Sequence, residues 1–179
     1  MLNDTERFTI MFETNHHRVL AYVRRRAPAS VAPDIVAETF LAAWRHLDRI
    51  EEQPLPWLYR AAALEIAHRR RSAQRDARLW ERAAAAPWSG FEEDPAEHVV
   101  GRDQWVSAFG GLGESDREVL RLVAWENLAP QDAARVLGCT VTAFRVRLHR
   151  ARRRLSAMVE RSTPTLPGVP SVLERKARP

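Results

Sequence analysis

The chain has 179 residues, with 28 Lys and Arg against 23 Asp and Glu, a net charge of +5, and a hydrophobic content of 45%. This is the composition of a globular protein, and it excludes a wholly disordered chain. The charged N-terminus and the lack of a long apolar run argue against a signal peptide and a membrane span, so we expect a cytoplasmic protein that does not enter a membrane.

Helical spacing dominates the first 80 residues. Apolar residues recur at Phe8, Met11, Phe12, Val19 and Val23, and Pro28 ends this first helix. A second helix begins at Pro33 and carries an apolar stripe at Val36, Phe40, Trp44 and Leu47. After a polar loop over 48–54, Pro56 opens a third helix that runs into Arg69, Arg70 and Arg71. Residues 1–80 are therefore predicted to form a small helical domain.

A change of composition separates this domain from the next one. Residues 81–96 contain an alanine run, Pro87, Ser89, Gly90 and the acids Glu92, Glu93 and Asp94, which is typical of a flexible linker. Beyond residue 161, Pro164, Pro167 and Pro170 break any regular pattern, so 162–179 is predicted to be a flexible tail.

Four further helices are predicted over residues 97–161. One ends at Gly110, and Ser115 with Glu118 forms a capping-box pattern that opens the next. Two more follow, over Pro130 to Leu137 and from Val141 to about Val159. Because no strand-like alternation persists, the fold class is all-α: two small helical domains joined by a flexible linker.

The last two helices have the spacing of a helix-turn-helix. Gly138 permits the positive φ that ends the first helix sharply, so the second can cross it and project into a DNA major groove. The second helix has an inward stripe at Val141, Phe144, Leu148, Ala151 and Leu155. Its outward face is then Thr142, Arg145, His149 and Arg152.

Positive charge is concentrated on this last helix. Between Val141 and Arg161 there are seven arginines and one glutamate, a net of +6 that exceeds the charge of the whole chain. The basic character is therefore a local phosphate-binding feature, in contrast to the mixed signs of a merely solvated helix. All Lys and Arg positions except Lys176 are arginine; a GC-rich genome would explain that choice, and DNA binding explains the placement.

These segments resemble a known family. Residues 112–155, and especially Arg117-Glu118-Val119-Leu120, Ala134-Arg135-Val136-Leu137-Gly138 and the run from Phe144 to Arg152, are similar to the fourth conserved region of bacterial RNA polymerase sigma factors of the extracytoplasmic-function group. The run from Asp34 to Leu41 with Ala43-Trp44-Arg45 resembles the second region, and Trp57-Leu58-Tyr59-Arg60 resembles the start of its promoter-melting helix. Both resemblances occur in the family's order.

The resemblance implies a dissociable specificity subunit of RNA polymerase with no catalytic residues, metal or cofactor of its own. It implies binding of the core enzyme through the β′ clamp helices and the β flap, and binding of promoter DNA at the -10 and -35 elements. The free protein is expected to be a monomer. Whether an anti-sigma protein is a further partner stays open.

The resemblance also implies positions for these contacts. Core docking would use the exposed side of the second helix, at Asp34, Glu38, Leu41 and Arg45. The -10 element and nearby phosphates would be held by Asp48, Arg49, Ile50, Glu51, Arg69, Arg70, Arg71 and Arg75. The -35 element would be read by Thr142, Ala143, Arg145, Val146, His149, Arg150 and Arg152. For Arg69 to Arg71, an alternative is that they complement the dipole at a helix C-terminus. The acidic linker would mimic nucleic-acid charge, or act as a plain tether.

Several positions depart from the family's pattern. Ala63 and Leu64 stand where an Arg-Asn pair is usual, Val146 replaces a serine of the reading helix, and Ala129 replaces a helix-capping serine. The resemblance therefore leaves the promoter sequence open.

The alternatives belong to two other classes of function. A free-standing regulator would combine the helix-turn-helix with a dimerisation or effector domain, and would bind its operator tightly without polymerase. An enzyme would need convergent groups such as His16, His17 or His68 with Glu13 or Glu65. The sequence has no phosphate loop or nucleophile motif, and its single cysteine, Cys139, with scattered histidines offers no zinc-ligand spacing.

Overall fold

In the computed structural model, residues 3–50, 53–80 and 102–162 are described, apart from the side chains of 75–80, 102–104 and 162. The predicted linker, Glu51, the side chain of Arg75 and the tail beyond residue 162 lie outside this description. The described residues form helices and contain no strand, so the predicted all-α class is confirmed. None of these helices is both long and apolar enough to cross a membrane.

Three helices form the N-terminal domain. They are α1 (Asp4–Arg24), α2 (Ala32–Arg45) and α3 (Leu55–Trp80), with a 3-10 turn at Leu47–Arg49 between the last two. Asn3 and Glu6 cap α1 reciprocally, and Pro33 lies in the first turn of α2. The core between them contains Val19, Ile35, Phe40 and Leu58, and the rings of Tyr22 and Tyr59 stack at 4.4 Å.

Four helices form the C-terminal domain. They are α4 (Arg102–Gly110), α5 (Glu114–Ala124), α6 (Pro130–Leu137) and α7 (Val141–Ser162). Phe144 is fully buried in their core, and Val119, Leu122, Val136 and Ala151 are buried there as well. The two domains pack against each other, mainly through α3 and α6, and a cluster of charged side chains joins α1 to α5.

Two expectations and one alternative about the helices were wrong. Ser115 caps no helix: α5 begins at Glu114 after Gly113, and the Glu118 carboxylate bonds to Arg26 in the other domain. Trp44 is 44% exposed, although the stripe predicted it to be buried. The third helix continues to Trp80, nine residues beyond Arg71, so Arg69 to Arg71 do not complement its C-terminal dipole.

Candidate nucleic-acid interface

The turn between α6 and α7 fixes the angle of the helix-turn-helix. Gly138 has φ +62° and ends α6 in the left-handed region, as the sequence predicted. The backbone N–H of Ala143 donates to Thr140 Oγ1 at 3.2 Å, so Thr140 caps the start of α7. Sequence reasoning assigned Thr140 only to the turn, although a threonine directly before an apolar-periodic helix is a capping signal.

The predicted inner and outer faces of α7 are both present. Phe144, Leu148, Ala151 and Leu155 are buried, which fixes the rotation of the helix about its axis. Residues at six of the positions predicted to contact the -35 element are exposed, namely Thr142, Arg145, Val146, His149, Arg150 and Arg152. The seventh, Ala143, is half-buried in the first turn.

The outer face of α7 is positively charged, and carboxylates of the described residues do not neutralise this charge. Among the described residues, Arg154 of α7 pairs with Asp116, whereas no carboxylate lies within ion-pair distance of Arg145, Arg150 or Arg152. These three guanidinium groups are solvent-exposed and available to an external anion. An exposed helix with this one-signed face has the charge and width to enter a DNA major groove.

A second exposed surface lies on α2. Asp34, Glu38, Leu41 and Arg45 are exposed on one side of this helix, and the Asp34 carboxylate lies 3.6 Å from Arg69 Nη1. Next to them, the exposed ring of Trp44 makes an edge contact with Phe8 at 5.2 Å. Sequence reasoning missed this exposed ring because the apolar spacing of α2 placed it in the core stripe.

In the loop after α2, only some of the residues predicted to contact the -10 element are exposed. Asp48 and Arg49 are exposed, but Ile50 is 9% exposed, and its side chain belongs to the core. Ile50 is therefore placed to support the loop from within, because a buried side chain cannot contact a base.

The arginines of α3 differ in their partners. Arg69 donates to Glu65 Oε1 at 2.8 Å, and this hydrogen bond outweighs partial burial to raise the pKa of Arg69. Arg70 donates to the backbone oxygen of Arg26 at 2.7 Å, whereas Arg71 is exposed. Of the three, Arg71 is the one whose side chain already points to solvent.

Two regions of the chain match known family descriptions. Residues 11–76 match the family described as Sigma-70 region 2, and residues 102–155 match Sigma-70, region 4. These regions coincide with the N-terminal and C-terminal domains. The match in the N-terminal domain argues against a free-standing regulator, which would carry an unrelated dimerisation or effector domain there.

Relatives and solved structures agree with these matches. The RNA polymerase sigma factor NccH of Alcaligenes xylosoxydans is 30% identical, over 82% of this chain and 84% of the relative, and CnrH of Cupriavidus metallidurans is 31% identical, over 74% and 75%. The ECF RNA polymerase sigma-E factor of Salmonella typhimurium is 26% identical, over 88% of each chain.

Two solved complexes contain chains of similar structure. The sigma factor RpoE bound to the anti-sigma factor NepR, from Bartonella quintana, superposes with a TM-score of 0.66 at 20% identity, covering 86% of this chain and 96% of that one. CnrH bound to the cytosolic domain of CnrY gives a TM-score of 0.56 at 25% identity, covering 87% and 89%. The chain belongs to the sigma-70 family of RNA polymerase sigma factors, in its extracytoplasmic-function group, and it directs promoter-specific transcription initiation with RNA polymerase.

Proposed function

We propose that the outer face of α7 reads the -35 element as duplex DNA. The observation that carries this assignment is the exposed, uncompensated positive face of Arg145, Arg150 and Arg152 on a helix that Phe144 anchors in the core. Arginine can donate two hydrogen bonds to the guanine edge in the major groove, and the exposed Val146 would offer an apolar contact to a thymine methyl group. Thr142, Ala143 and His149 complete the proposed surface.

The N-terminal domain is proposed to hold the -10 element. Asp48 and Arg49 would face the unpaired bases, Ile50 would support their loop, and Glu51 is part of the same proposed segment. Arg71 would contact a phosphate directly, with Arg69, Arg70 and Arg75 along the same helix. Arg69 would exchange the Glu65 carboxylate for phosphate, which is a comparable charged acceptor, and Arg70 would exchange the neutral backbone oxygen of Arg26 for this stronger acceptor.

Core docking is assigned to the exposed side of α2. Asp34, Glu38, Leu41 and Arg45 combine acidic, apolar and basic groups along one helix face, and the exposed ring of Trp44 extends this face with a large apolar contact. Such a combination suits a protein partner, because aromatic and arginine side chains contribute most to interfaces. The proposed partner of this face is the pair of β′ clamp helices, and the C-terminal domain is proposed to bind the β flap.

The remaining assignments concern the domain boundaries, the location of the protein in the cell, its oligomeric state and a further partner. We assign residues 1–80 to the N-terminal domain, 81–96 to a linker, 97–161 to the C-terminal domain and 162–179 to a tail. The protein is proposed to be a cytoplasmic, monomeric binding subunit with no catalytic activity of its own. An anti-sigma protein is included among its proposed partners, because the similar CnrH was solved with the cytosolic domain of another protein, CnrY.

The proposed roles of the two domains at the -10 and -35 elements are tested by mapping transcript 5′ ends with reconstituted holoenzyme. Purified chain and core polymerase should initiate at a defined set of sites that share sequence at both elements. Substitution of Arg145 should change the preferred -35 sequence, and substitution of Arg49 should change the -10 preference. If both variants keep the wild-type sequence preference at both elements, the residue assignments are wrong.

A further inference from the structure

An apolar groove lies on the C-terminal domain between α4, α5 and α7. It has a volume of about 540 Å³ and is lined by the buried side chains of Leu120, Leu148 and Leu155. Val159 of α7, which is half-buried, and Trp105 of α4, which is 51% exposed, also line it. Covering such a surface is favourable, because it removes apolar area from water. The groove therefore has the character of a binding surface.

Two sets of residues in the sequence after α7 recur at every third position. The prolines are Pro164, Pro167 and Pro170, and the apolar residues are Leu166, Val169 and Val172. This spacing matches neither an α-helix nor a strand, but a polyproline II helix has three residues per turn. In that conformation each set lies along one face. Residues 164–172 therefore have the sequence of a polyproline II ligand with a continuous apolar stripe.

The groove has the lining and the length that such a ligand needs. Proline-rich segments bind in grooves lined by aromatic side chains, and the exposed ring of Trp105 supplies one here. From Leu166 to Val172 the segment spans roughly 19 Å at about 3.1 Å per residue. From Leu148 to Val159, α7 spans roughly 17 Å at about 1.5 Å per residue. The apolar stripe therefore matches the length of the groove.

The groove is within reach of the segment because one end of the groove lies close to the end of α7. Val159 and Glu160 line the groove, and α7 ends at Ser162. The stretch from Ser162 to Leu166 reaches about 13 Å when extended. Val159 lies only about 5 Å before Ser162 along the helix axis. The chain can therefore reverse its direction, with Pro164 at a position that suits a turn, and return along α7.

The short connection favours binding within one chain over binding between two copies. A ligand on a short flexible linker has an effective concentration in the millimolar range, far above that of a second copy in a dilute solution. A polyproline II segment also loses little conformational entropy when it binds, because prolines already restrict its backbone. Both effects favour the groove's own segment as its occupant.

We propose that residues 164–172 bind as a polyproline II segment in the groove of their own C-terminal domain. The stripe of Leu166, Val169 and Val172 covers the apolar lining, and a proline ring packs against Trp105. Proline content alone predicts a flexible tail, whereas this inference gives the segment a fixed place on the domain.

The bound segment connects α4 to α7. With nine residues, α4 is too short to be stable as an isolated helix and depends on packing. A segment that contacts Trp105 of α4 and Val159 of α7 at once strengthens that packing. Of the three arginines on the proposed DNA-reading face, only Arg152 lines the groove, so Arg145 and Arg150 stay accessible. The inference is therefore independent of the promoter assignments.

The test measures backbone order in the full-length chain by NMR relaxation. In the wild-type chain, the amides of Leu166, Val169 and Val172 are expected to have order parameters of about 0.85, the value of a rigid backbone. Nuclear Overhauser contacts should join the Trp105 ring to protons of residues 164–172, which identifies the groove as the binding site.

A pair of tryptophan variants tests the groove. Trp105→Ala removes its aromatic side chain and should lower the order parameters of residues 166–172 below about 0.6, the range of a flexible backbone. Trp125→Ala is the matched control, because Trp125 is 50% exposed on the same domain but does not line the groove. It should leave the order parameters unchanged. Circular dichroism verifies that both variants are folded.

A pair of variants in the segment tests the ligand without altering any of the helices. The triple variant Leu166→Ser, Val169→Ser and Val172→Ser removes the apolar stripe and should lower the order parameters as Trp105→Ala does. Thr165→Ala with Ser171→Ala is the control, because these residues lie at the third position of the repeat and should leave the order unchanged. This pair keeps the test valid should Trp105→Ala unfold α4.

Three results would overturn the inference. One is a wild-type segment with order parameters below about 0.6. Another is an ordered segment whose Overhauser contacts join it to a surface other than the groove. The third concerns a mixture of isotope-labelled and unlabelled chains, in which contacts of Trp105 that arise only between the two kinds of chain would make a second copy the occupant.

Discussion

At position 138 the left-handed backbone conformation favours glycine. Gly138 has φ +62°, and a Cβ there would lie 2.5 Å from Arg60 Nη1. We expect Gly138→Ala to lower the free energy of unfolding by about 1–2 kcal/mol from the left-handed backbone alone. Urea denaturation measures the change. Gly113→Ala is the control, since Gly113 has φ −62° and open space around it; equal stabilities of the two variants would contradict this account.

Arg145 tests whether α7 reads bases or only phosphates. Its side chain is exposed and has no carboxylate within ion-pair distance among the described residues. Arg145→Ala should weaken binding of holoenzyme to the preferred -35 sequence by about 1–3 kcal/mol, with a smaller loss on sequences altered at one base pair. Competition binding against a set of -35 variants measures this, with Arg153→Ala as control. Equal loss on every sequence would make Arg145 a phosphate contact.

At the scale of the element, the exposed face of α2 is predicted to be a docking surface. Reversing Asp34 and Glu38 to arginine should weaken core polymerase binding about tenfold or more, because like charges placed across an interface cost several kcal/mol. Titration of fluorescently labelled chain with core enzyme measures the affinity. Glu13→Arg, at an exposed position on α1, controls for the change of net charge. Wild-type affinity in the double variant would place the docking surface elsewhere.

At the scale of the whole molecule, packing of the domains should couple their unfolding. The double variant Glu126→Gln with Arg60→Ala removes the contacts of both side chains. Its thermal unfolding should separate into two transitions, with the earlier midpoint about 5 °C below the wild-type value. The reason is that each domain loses the stabilisation supplied by the other. Scanning calorimetry of the full-length chain measures this, with exposed Arg71→Ala as control. A single transition at the wild-type midpoint would show that the contacts of Glu126 and Arg60 do not contribute to this coupling.

Local sequence signals sufficed to predict where helices end and which of their faces are buried. Periodic apolar residues placed Phe144, Leu148, Ala151 and Leu155 on the buried face of α7, and Gly138 was identified as the residue that ends α6. Both predictions depend on contacts within one or two turns of helix, which spacing and backbone preference describe well. The long-range pairs could not be predicted in this way. Glu118 has the spacing of a capping residue, yet its carboxylate is used 92 residues away by Arg26.

The sequence by itself determined the fold class, the helix-turn-helix and the sign of the charge on its outer face, because each follows from residue types at fixed spacing along one helix. The tertiary structure decided which charged residues are buried and paired. Arg26 and Glu126 have no local pattern that distinguishes them from surface residues, and only the packing of the two domains against each other removes them from water. The exposure of Trp44 also depends on the tertiary structure, because the spacing of apolar residues along a helix does not show how far the neighbouring helices extend over it.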